Sequence, residues 1–123
     1  MNKLLDIEEL ENTKMFRSDI IADKIYILCA AIWFKDGKIY KYQPKNVDNG
    51  FVVCGRRHSN CYTTAWIVNK GETEYLLETN DRVIEGFLTS DDQFVDRKKG
   101  GEIAFSAKQT KILKSCLLAE DLY

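Results

Sequence analysis

The stretch KIYILCAAIWF, residues 24–34, constrains the fold of this chain more than any other part of its sequence. It is almost wholly apolar and rich in β-branched and aromatic side chains, which predicts a strand buried on both faces. Asp36 and Gly37 follow. In the next segment, IYKYQ at residues 39–43, tyrosines alternate with other side chains, which is the pattern of a half-exposed strand. Because a tight primed turn needs residues that tolerate a positive φ, we predict a β-hairpin at Asp36-Gly37.

Strand and helix patterns alternate along the rest of the chain. We predict a strand at 51–54, a helix at 59–69 capped by Ser59 or Asn60, a strand at 86–89, and a helix from the N-cap Asp96 to about residue 109. Residues 71–82 fit a strand or a helical turn. Gly100 and Gly101 weaken the start of the last helix unless another segment packs closely against them.

These elements predict the α+β class, as an antiparallel sheet opened by a β-hairpin with two main helices packed on it. The length of 123 residues suits a single domain over residues 1–123. Residues 1–20 form either a short N-terminal helix or an arm, since their apolar side chains recur at roughly helical spacing between acidic ones.

Charge and hydropathy narrow the classes of function. The net charge of −1 argues against nucleic-acid binding, which needs a surplus of lysine and arginine on one face. Residues 1–14 are charged throughout, so we expect no signal peptide, and no apolar run reaches the ~20 residues of a membrane span. We therefore expect a soluble cytosolic protein, not bound to a membrane, whose four cysteines are reduced.

The segment GFVVCGRRHSNCY, residues 50–62, contains the only histidine of the chain. A structural zinc site is disfavoured because Cys54 and Cys61 are too far apart for a zinc knuckle and because arginines stand beside them. A nucleophilic pair of Cys54 and His58 is conceivable, since nearby arginines lower a thiol pKa. The apolar neighbours of Cys54 indicate burial instead, so buried thiols remain the simpler interpretation.

An anion site fits the same segment better. Gly55 allows close approach of a ligand to the backbone, and Arg56, Arg57 and His58 lead into the start of a helix. The N–H groups and dipole at a helix N-terminus favour negative charge, and arginine matches phosphate oxygens with two donors. The alternative is that both arginines are surface residues paired with acids.

A second polar turn, GFLTSDDQFVDR at residues 86–97, also runs from a strand to a helix start. Phe87 and Phe94 could stack on a base, the aspartates could accept hydrogen bonds from ribose, and Arg97 could reach a phosphate. The alternative assigns both phenylalanines to the core and Asp96 to an ordinary N-cap. Taken together, the two turns suit a nucleotide, which has an anion, a sugar and a base.

The motifs CAAIWFKDGKIY, CGRRHSNCY and GFLTSDDQFVDR, in this order, resemble the phage Thoeris anti-defence proteins of the first type. The resemblance covers about residues 24–109. The chain departs from the pattern at Lys98-Lys99-Gly100-Gly101, where an acidic residue and better helix formers are expected.

The resemblance implies a sponge that binds glyco-cyclic ADP-ribose, the immune signal made by a bacterial TIR enzyme, and does not cleave it. Some members also bind cyclic di- and trinucleotides at a separate site. It implies homodimers, or hexamers built from dimers, with ligand pockets at the protomer interface. It also implies that the protein acts in the cytoplasm of the infected bacterial host. No catalytic residue, metal or cofactor is expected.

Carried onto this chain, the resemblance gives eight candidate ligand-binding residues. Arg57 would contact the ligand, flanked by Arg56 and His58. Phe87 or Phe94 would stack on adenine. The remaining candidates, which would meet ribose and pyrophosphate, are Ser90, Asp91 and Arg97.

Two rival functions remain open at the sequence level. The first is a phosphodiesterase that uses His58, with Asp91 or Asp96, on the same ligand. The second is a protein that inhibits a host enzyme by direct contact through an aromatic patch.

Overall fold

The computed structural model describes residues 24–79 and 81–122. The elements are β1 (Ile27–Phe34), β2 (Phe51–Gly55), α1 (His58–Val68), α2 (Lys70–Thr79), β3 (Val83–Thr89), β4 (Phe94–Asp96), α3 (Arg97–Ser106) and a 3₁₀ helix (Ala119–Asp121). The N-terminal arm or helix predicted for residues 1–20 lies outside the described residues.

The four strands form one antiparallel sheet in the order β2-β1-β3-β4, which confirms the predicted α+β class. The long apolar strand β1 lies inside the sheet, as its composition predicts. Ala31 stands opposite Cys54 of β2 on one side and opposite Gly86 of β3 on the other. Among the residues that the structure describes, β2 is therefore an edge strand with a single neighbour.

The helices cover the sheet face that carries Ala30, Ile32 and Phe34, which are all fully buried. The other members of this core come from β1, β3, every helix and the C-terminal segment: Ile27, Cys61, Ala65, Leu76, Phe87, Ala104, Leu117 and Ala119. Burial of this apolar surface is the main force that holds the helices on the sheet.

The opposite sheet face is partly covered by the loop at residues 35–50. Trp33 packs edge-on against Phe94, with ring centroids 5.6 Å apart. The indole N–H of Trp33 donates to the carbonyl of Asn49 at 2.7 Å. The Asn46 amide donates to the Phe94 carbonyl at 2.7 Å and accepts from the Phe94 N–H at 2.8 Å. The loop thus ties β1 to β4 across the sheet.

The predicted strand at residues 39–43 is wrong. Asp36 and Gly37 do turn the chain, with φ 83° at Gly37, and the Asp36 carboxylate accepts from the Lys38 N–H at 2.9 Å. The chain then continues as a loop, and β1 pairs with β2 instead. The strand β2 brings Phe51 onto the ring of Phe34, with centroids 5.2 Å apart, whereas Ile39 remains 81% exposed. Pairing with β2 therefore buries apolar surface that the nearer segment leaves in water.

The helices differ from the prediction in number and in one boundary. The helix α1 matches the predicted 59–69 closely, and the ambiguous segment 71–82 supplies a third helix, α2. Asp96 is confirmed as the N-cap of α3, because its carboxylate accepts from the Lys99 N–H at 2.8 Å. The helix ends at Ser106 and not near residue 109. The Gln109 side chain instead pairs with both backbone groups of Ile27, at 2.8 and 2.9 Å.

Close packing explains the two glycines at the start of α3. A Cβ atom on Gly100 would lie 3.0 Å from the Phe87 ring, and one on Gly101 would lie 1.9 Å from the Lys114 carbonyl oxygen. Gly101 therefore requires a residue without a side chain and Gly100 leaves little room for one, because the C-terminal segment and the core pack directly on the helix backbone. This contact offsets the low helix propensity of glycine.

Candidate functional site

The turn between β2 and α1 fixes Arg57 at the N-terminal end of the helix. Its backbone is extended, and its N–H donates to the side-chain oxygen of Asn60 at 3.1 Å. Its carbonyl accepts from the N–H groups of Asn60 and Cys61, at 3.0 and 3.2 Å. The N-cap is therefore Arg57 and not, as predicted, Ser59 or Asn60; Asn60, the third residue of the helix, completes the cap with its side chain. The cap holds the Arg57 backbone at the mouth of a cleft.

His58 joins α1 to β3 through both ring nitrogens. Nε2 lies 2.7 Å from the Gly86 carbonyl oxygen, and since a carbonyl only accepts, Nε2 carries the proton. Nδ1 then has a lone pair and lies 3.4 Å from Nη2 of Arg97. Burial, and next the charge of Arg97, lower the pKa of His58 below its ordinary value, although the bond to Gly86 opposes the shift. The imidazole is therefore neutral near pH 7.

Arg97 is held by the C-terminal segment and by β3. Nη1 donates to the Leu117 carbonyl at 2.7 Å, and Nη2 donates to Oε1 of Glu85 at 2.6 Å. The other oxygen of Glu85 accepts from the Tyr62 hydroxyl at 2.7 Å. These bonds form a chain of polar groups between α1, β3 and the start of α3.

The ionisation of Glu85 and Tyr62 reflects their shared bond. Burial alone would raise the pKa of Glu85, but hydrogen bonds from Tyr62 and Arg97 and the charge of Arg97 hold it below its usual range. Burial, followed by the bond to Glu85, raises the pKa of Tyr62. At neutral pH the network therefore consists of a carboxylate, a guanidinium and a protonated phenol.

A cleft of about 240 Å³ opens beside this network. Its lining consists of Arg57, His58, Ser59, Arg97 and residues 118–120. The Glu120 carboxylate stands 3.8 Å from Nη1 of Arg57, and its side chain is mostly exposed. The structure thus brings together three of the eight predicted site residues, namely Arg57, His58 and Arg97.

The other polar candidates do not line this cleft. Arg56 lies next to the cleft in sequence and is exposed. Ser90 follows the far end of β3, about 13 Å along the strand from Gly86. There its N–H donates to the Tyr26 carbonyl, and its hydroxyl accepts from the Tyr26 N–H at 3.0 Å. Asp91 accepts from the Thr89 hydroxyl within the same turn.

The two phenylalanines occupy the interior. Phe87 is fully buried between the edge of the His58 ring and Gly100. Phe94 is 5% exposed and packs on Trp33. In this structure neither ring has a free face for a base, so both act as core residues within the protomer.

Sequence reasoning missed Glu85, Tyr62 and Glu120. A charge inside the strand VIEGFLT is the one local signal that could have pointed to Glu85. Tyr62 and Glu120 carry no comparable signal, because their role depends on which elements meet in space.

The two other chemistries considered for the segment at residues 50–62 find no support in the geometry. Within residues 24–79 and 81–122, no group of three or more histidine, cysteine or acidic side chains is placed to hold a metal ion. The nitrogens of His58 lie against Gly86 and Arg97, whereas the thiol of Cys54 interacts with that of Cys29. The Cys54–His58 pair therefore does not form.

The family described as Phage T4 y16D protein matches residues 26–123, which is most of the chain. The chain belongs to this family. It is therefore a phage protein, and the matched region contains the sheet, the three helices and the cleft. No curated protein and no solved structure matches the chain. In the part of the chain that the structure describes, no helix has both the length and the apolar character needed to cross a bilayer.

Proposed function

We propose that this phage protein is an anti-defence sponge. It binds glyco-cyclic ADP-ribose, and in a second capacity cyclic di- or trinucleotides, and keeps the signal from the Thoeris effector of the infected host. The observation that carries the proposal is the convergence of Arg57 and Arg97 on one cleft at the N-terminal end of α1. Membership of a phage family and the resemblance of the two turn motifs to the Thoeris anti-defence proteins support it further.

The cleft has the chemistry of a diphosphate site. Guanidinium groups bind phosphate oxygens through paired, charge-assisted hydrogen bonds of about 2.7–2.9 Å. One contact of Arg57, the Glu120 carboxylate, stands at 3.8 Å and is mostly exposed, so this ion pair is weak. A bound diphosphate takes the place of this carboxylate and gains shorter bonds.

The size of the cleft limits how much of the ligand it can hold. Pockets for drug-sized ligands usually measure about 300–1,000 Å³, and this cleft measures about 240 Å³. It therefore takes the diphosphate, while ribose and adenine lie outside it. A second protomer in a homodimer, or in a hexamer of three dimers, supplies the remaining wall of the site, in line with the resemblance.

The affinity that a sponge needs is within reach of such a site. Nanomolar binding corresponds to roughly −12 kcal/mol. A cyclic nucleotide of about 35 heavy atoms yields on the order of 10 kcal/mol at ~0.3 kcal/mol per atom. The charge-assisted bonds of Arg57, together with the positive charge of the nearby Arg97, contribute the difference.

The same groups give no support to catalysis. General base catalysis needs a nitrogen or carboxylate free to take a proton from the reacting group. Both nitrogens of His58 are engaged, and the Glu85 carboxylate binds Arg97 and Tyr62. The proposal is therefore binding without bond cleavage, in the host cytoplasm.

Isothermal titration calorimetry with glyco-cyclic ADP-ribose tests the site. The wild-type protein should bind at nanomolar Kd. Arg57→Ala should bind at least about thirtyfold more weakly, because losing a charge-assisted contact to a phosphate costs 2 kcal/mol or more. It should unfold at nearly the wild-type temperature, since Arg57 contributes little to the core.

Arg82→Ala is the matched control, because Arg82 is exposed and precedes β3, about 13 Å along the strand from Gly86. It should bind like the wild type. Equal affinity of Arg57→Ala and wild type would refute the assignment of the anion site, and absence of binding by the wild type would refute the ligand.

A further inference from the structure

Two cysteines lie side by side on the sheet face opposite the helices. Cys54 of β2 stands directly across from Ala31 of β1, and Cys29 is the next residue on that face of β1. The two thiols lie close enough that each shifts the pKa of the other. Cys54 is exposed and Cys29 is half-buried, so a small solute can reach the pair.

The arrangement activates one thiol at the expense of the other. The neighbouring Cys54 thiol lowers the pKa of Cys29 to about 7; burial opposes this shift, and the Gly55 backbone assists it. The pKa of Cys54 is raised, first by the neighbouring Cys29 thiol and next by burial. Cys29 is thus the nucleophile of the pair, and Cys54 is its neighbour within reach.

We propose that Cys29 and Cys54 form a redox-active pair that a small hydroperoxide such as hydrogen peroxide converts reversibly into a disulfide. The Cys29 thiolate attacks one peroxide oxygen, the O–O bond breaks, and the hydroxide that leaves takes up a proton to give water. The sulfur loses two electrons and becomes a sulfenic acid. The Cys54 sulfur then attacks the Cys29 sulfur, the S–O bond breaks, and a second water leaves as the S–S bond forms.

The position of the pair in the sheet makes the disulfide reversible. Cys29 and Cys54 are diagonal neighbours, whose Cα atoms lie about 7–8 Å apart in a regular sheet, beyond the usual 4.4–6.8 Å of a disulfide. The strand β2 has no second ladder in the described sheet, so a local shift along β1 can bring Cys54 closer to Cys29. The bond forms under strain, and strained disulfides are easily reduced.

Peptide mapping of the peroxide-treated full-length protein tests the pair. The reduced protein is exposed to a few equivalents of hydrogen peroxide and alkylated, then digested with trypsin without reductant. The peptide IYILCAAIWFK should be linked to NVDNGFVVCGR, with the loss of two hydrogen atoms in mass. Dithiothreitol should restore both free peptides.

Single substitutions identify the roles of the two thiols. Cys54→Ser should stop at the Cys29 sulfenic acid, which dimedone traps, whereas Cys116→Ser, which removes an exposed thiol elsewhere, should still form the disulfide. In the untreated wild type at pH 7, Cys29 should be alkylated about threefold faster than Cys116. The lowered pKa of Cys29 raises its thiolate fraction, and the lower nucleophilicity of such a thiolate partly offsets this gain.

Absence of the linked peptide, with Cys29 and Cys54 oxidised no faster than Cys116, would overturn the proposal. Direct oxidation of both thiols to sulfinic acid in the wild type would overturn it as well. The mapping needs no ligand, so its result is independent of the proposed sponge function.

Discussion

At the residue scale, the single histidine illustrates how context decides the role of a reactive group. The sequence places His58 beside two arginines, where a base, a metal ligand and an anion donor are all conceivable. In the structure, Nε2 hydrogen-bonds to the Gly86 carbonyl, and Nδ1 lies next to the Arg97 guanidinium. The neutral imidazole of His58 therefore helps to hold Arg97 at the cleft. Its Nε2–H already donates to the Gly86 carbonyl.

The lowered pKa of His58 makes the stability of the protein depend on pH. The unfolded chain binds a proton at a histidine pKa near 6.5, whereas the folded protein resists protonation until a lower pH. Between these values the unfolded state holds more protons, so acid favours unfolding. The stabilisation is fully present above the unfolded pKa and is lost as the pH falls through the folded one.

Urea unfolding at pH 7.5 and pH 5.5 measures this effect. The wild type should lose stability between the two values. His58→Gln keeps a donor for Gly86 and lacks the titrating group, so it should be less stable at pH 7.5 and nearly constant over the same range. Since the chain has no other histidine, an equal loss in both proteins would show that His58 does not cause it.

Part of the site follows from local sequence, and part does not. A strand, a glycine and a capped helix suffice to place Arg57 and His58 at a helix N-terminus, as the structure has them. The pairing of Arg97 with Glu85 depends on long-range packing, which no local pattern encodes. Phe87 was expected to stack on a base because an aromatic ring next to a turn suits either a ligand or the core.

At the element scale, the helix α3 depends on glycine for packing and not for flexibility. A methyl group on Gly101 would collide with the Lys114 carbonyl at 1.9 Å, so the C-terminal segment would have to move. Gly101→Ala should therefore destabilise the protein by about 2 kcal/mol or more. The loss should appear as a lower urea midpoint with an unchanged slope.

Gly71 in α2 is the matched control for this substitution. A Cβ atom there would have no neighbour within 4 Å, so Gly71→Ala should stabilise the protein by roughly 0.5 kcal/mol through helix propensity alone. If both substitutions change stability in the same direction, the packing explanation for α3 is wrong.

Local sequence predicts some features of these elements and not others. Asp36 and Gly37 produce the turn that they predict, yet they do not choose the partner of β1. That choice depends on whether Ile39 or Phe51 buries more surface against Phe34, which is a property of the folded whole. By contrast, the apolar run of β1, the α1 pattern and the Asp96 cap were each strong enough to predict their elements.

At the scale of the whole molecule, the helices cover one face of a single sheet. The polar side chains of the candidate site lie where α1, β3, α3 and the C-terminal segment meet. Arg57 and Arg97 meet there because the order β2-β1-β3-β4 brings the end of β2 close to the middle of β3. The family match covers this whole unit. The small size of the cleft, compared with a cyclic nucleotide, leads us to expect an assembly of several protomers around each ligand.

The fate of the ligand tests the central claim most directly. The purified protein is incubated with an excess of glyco-cyclic ADP-ribose, separated from free ligand, heated to unfold it, and the released nucleotide is analysed by mass spectrometry. We predict intact ligand in a fixed ratio to protein, with no cleaved nucleotide even after long incubation. Cleaved product in excess over protein would contradict the account and identify the protein as an enzyme.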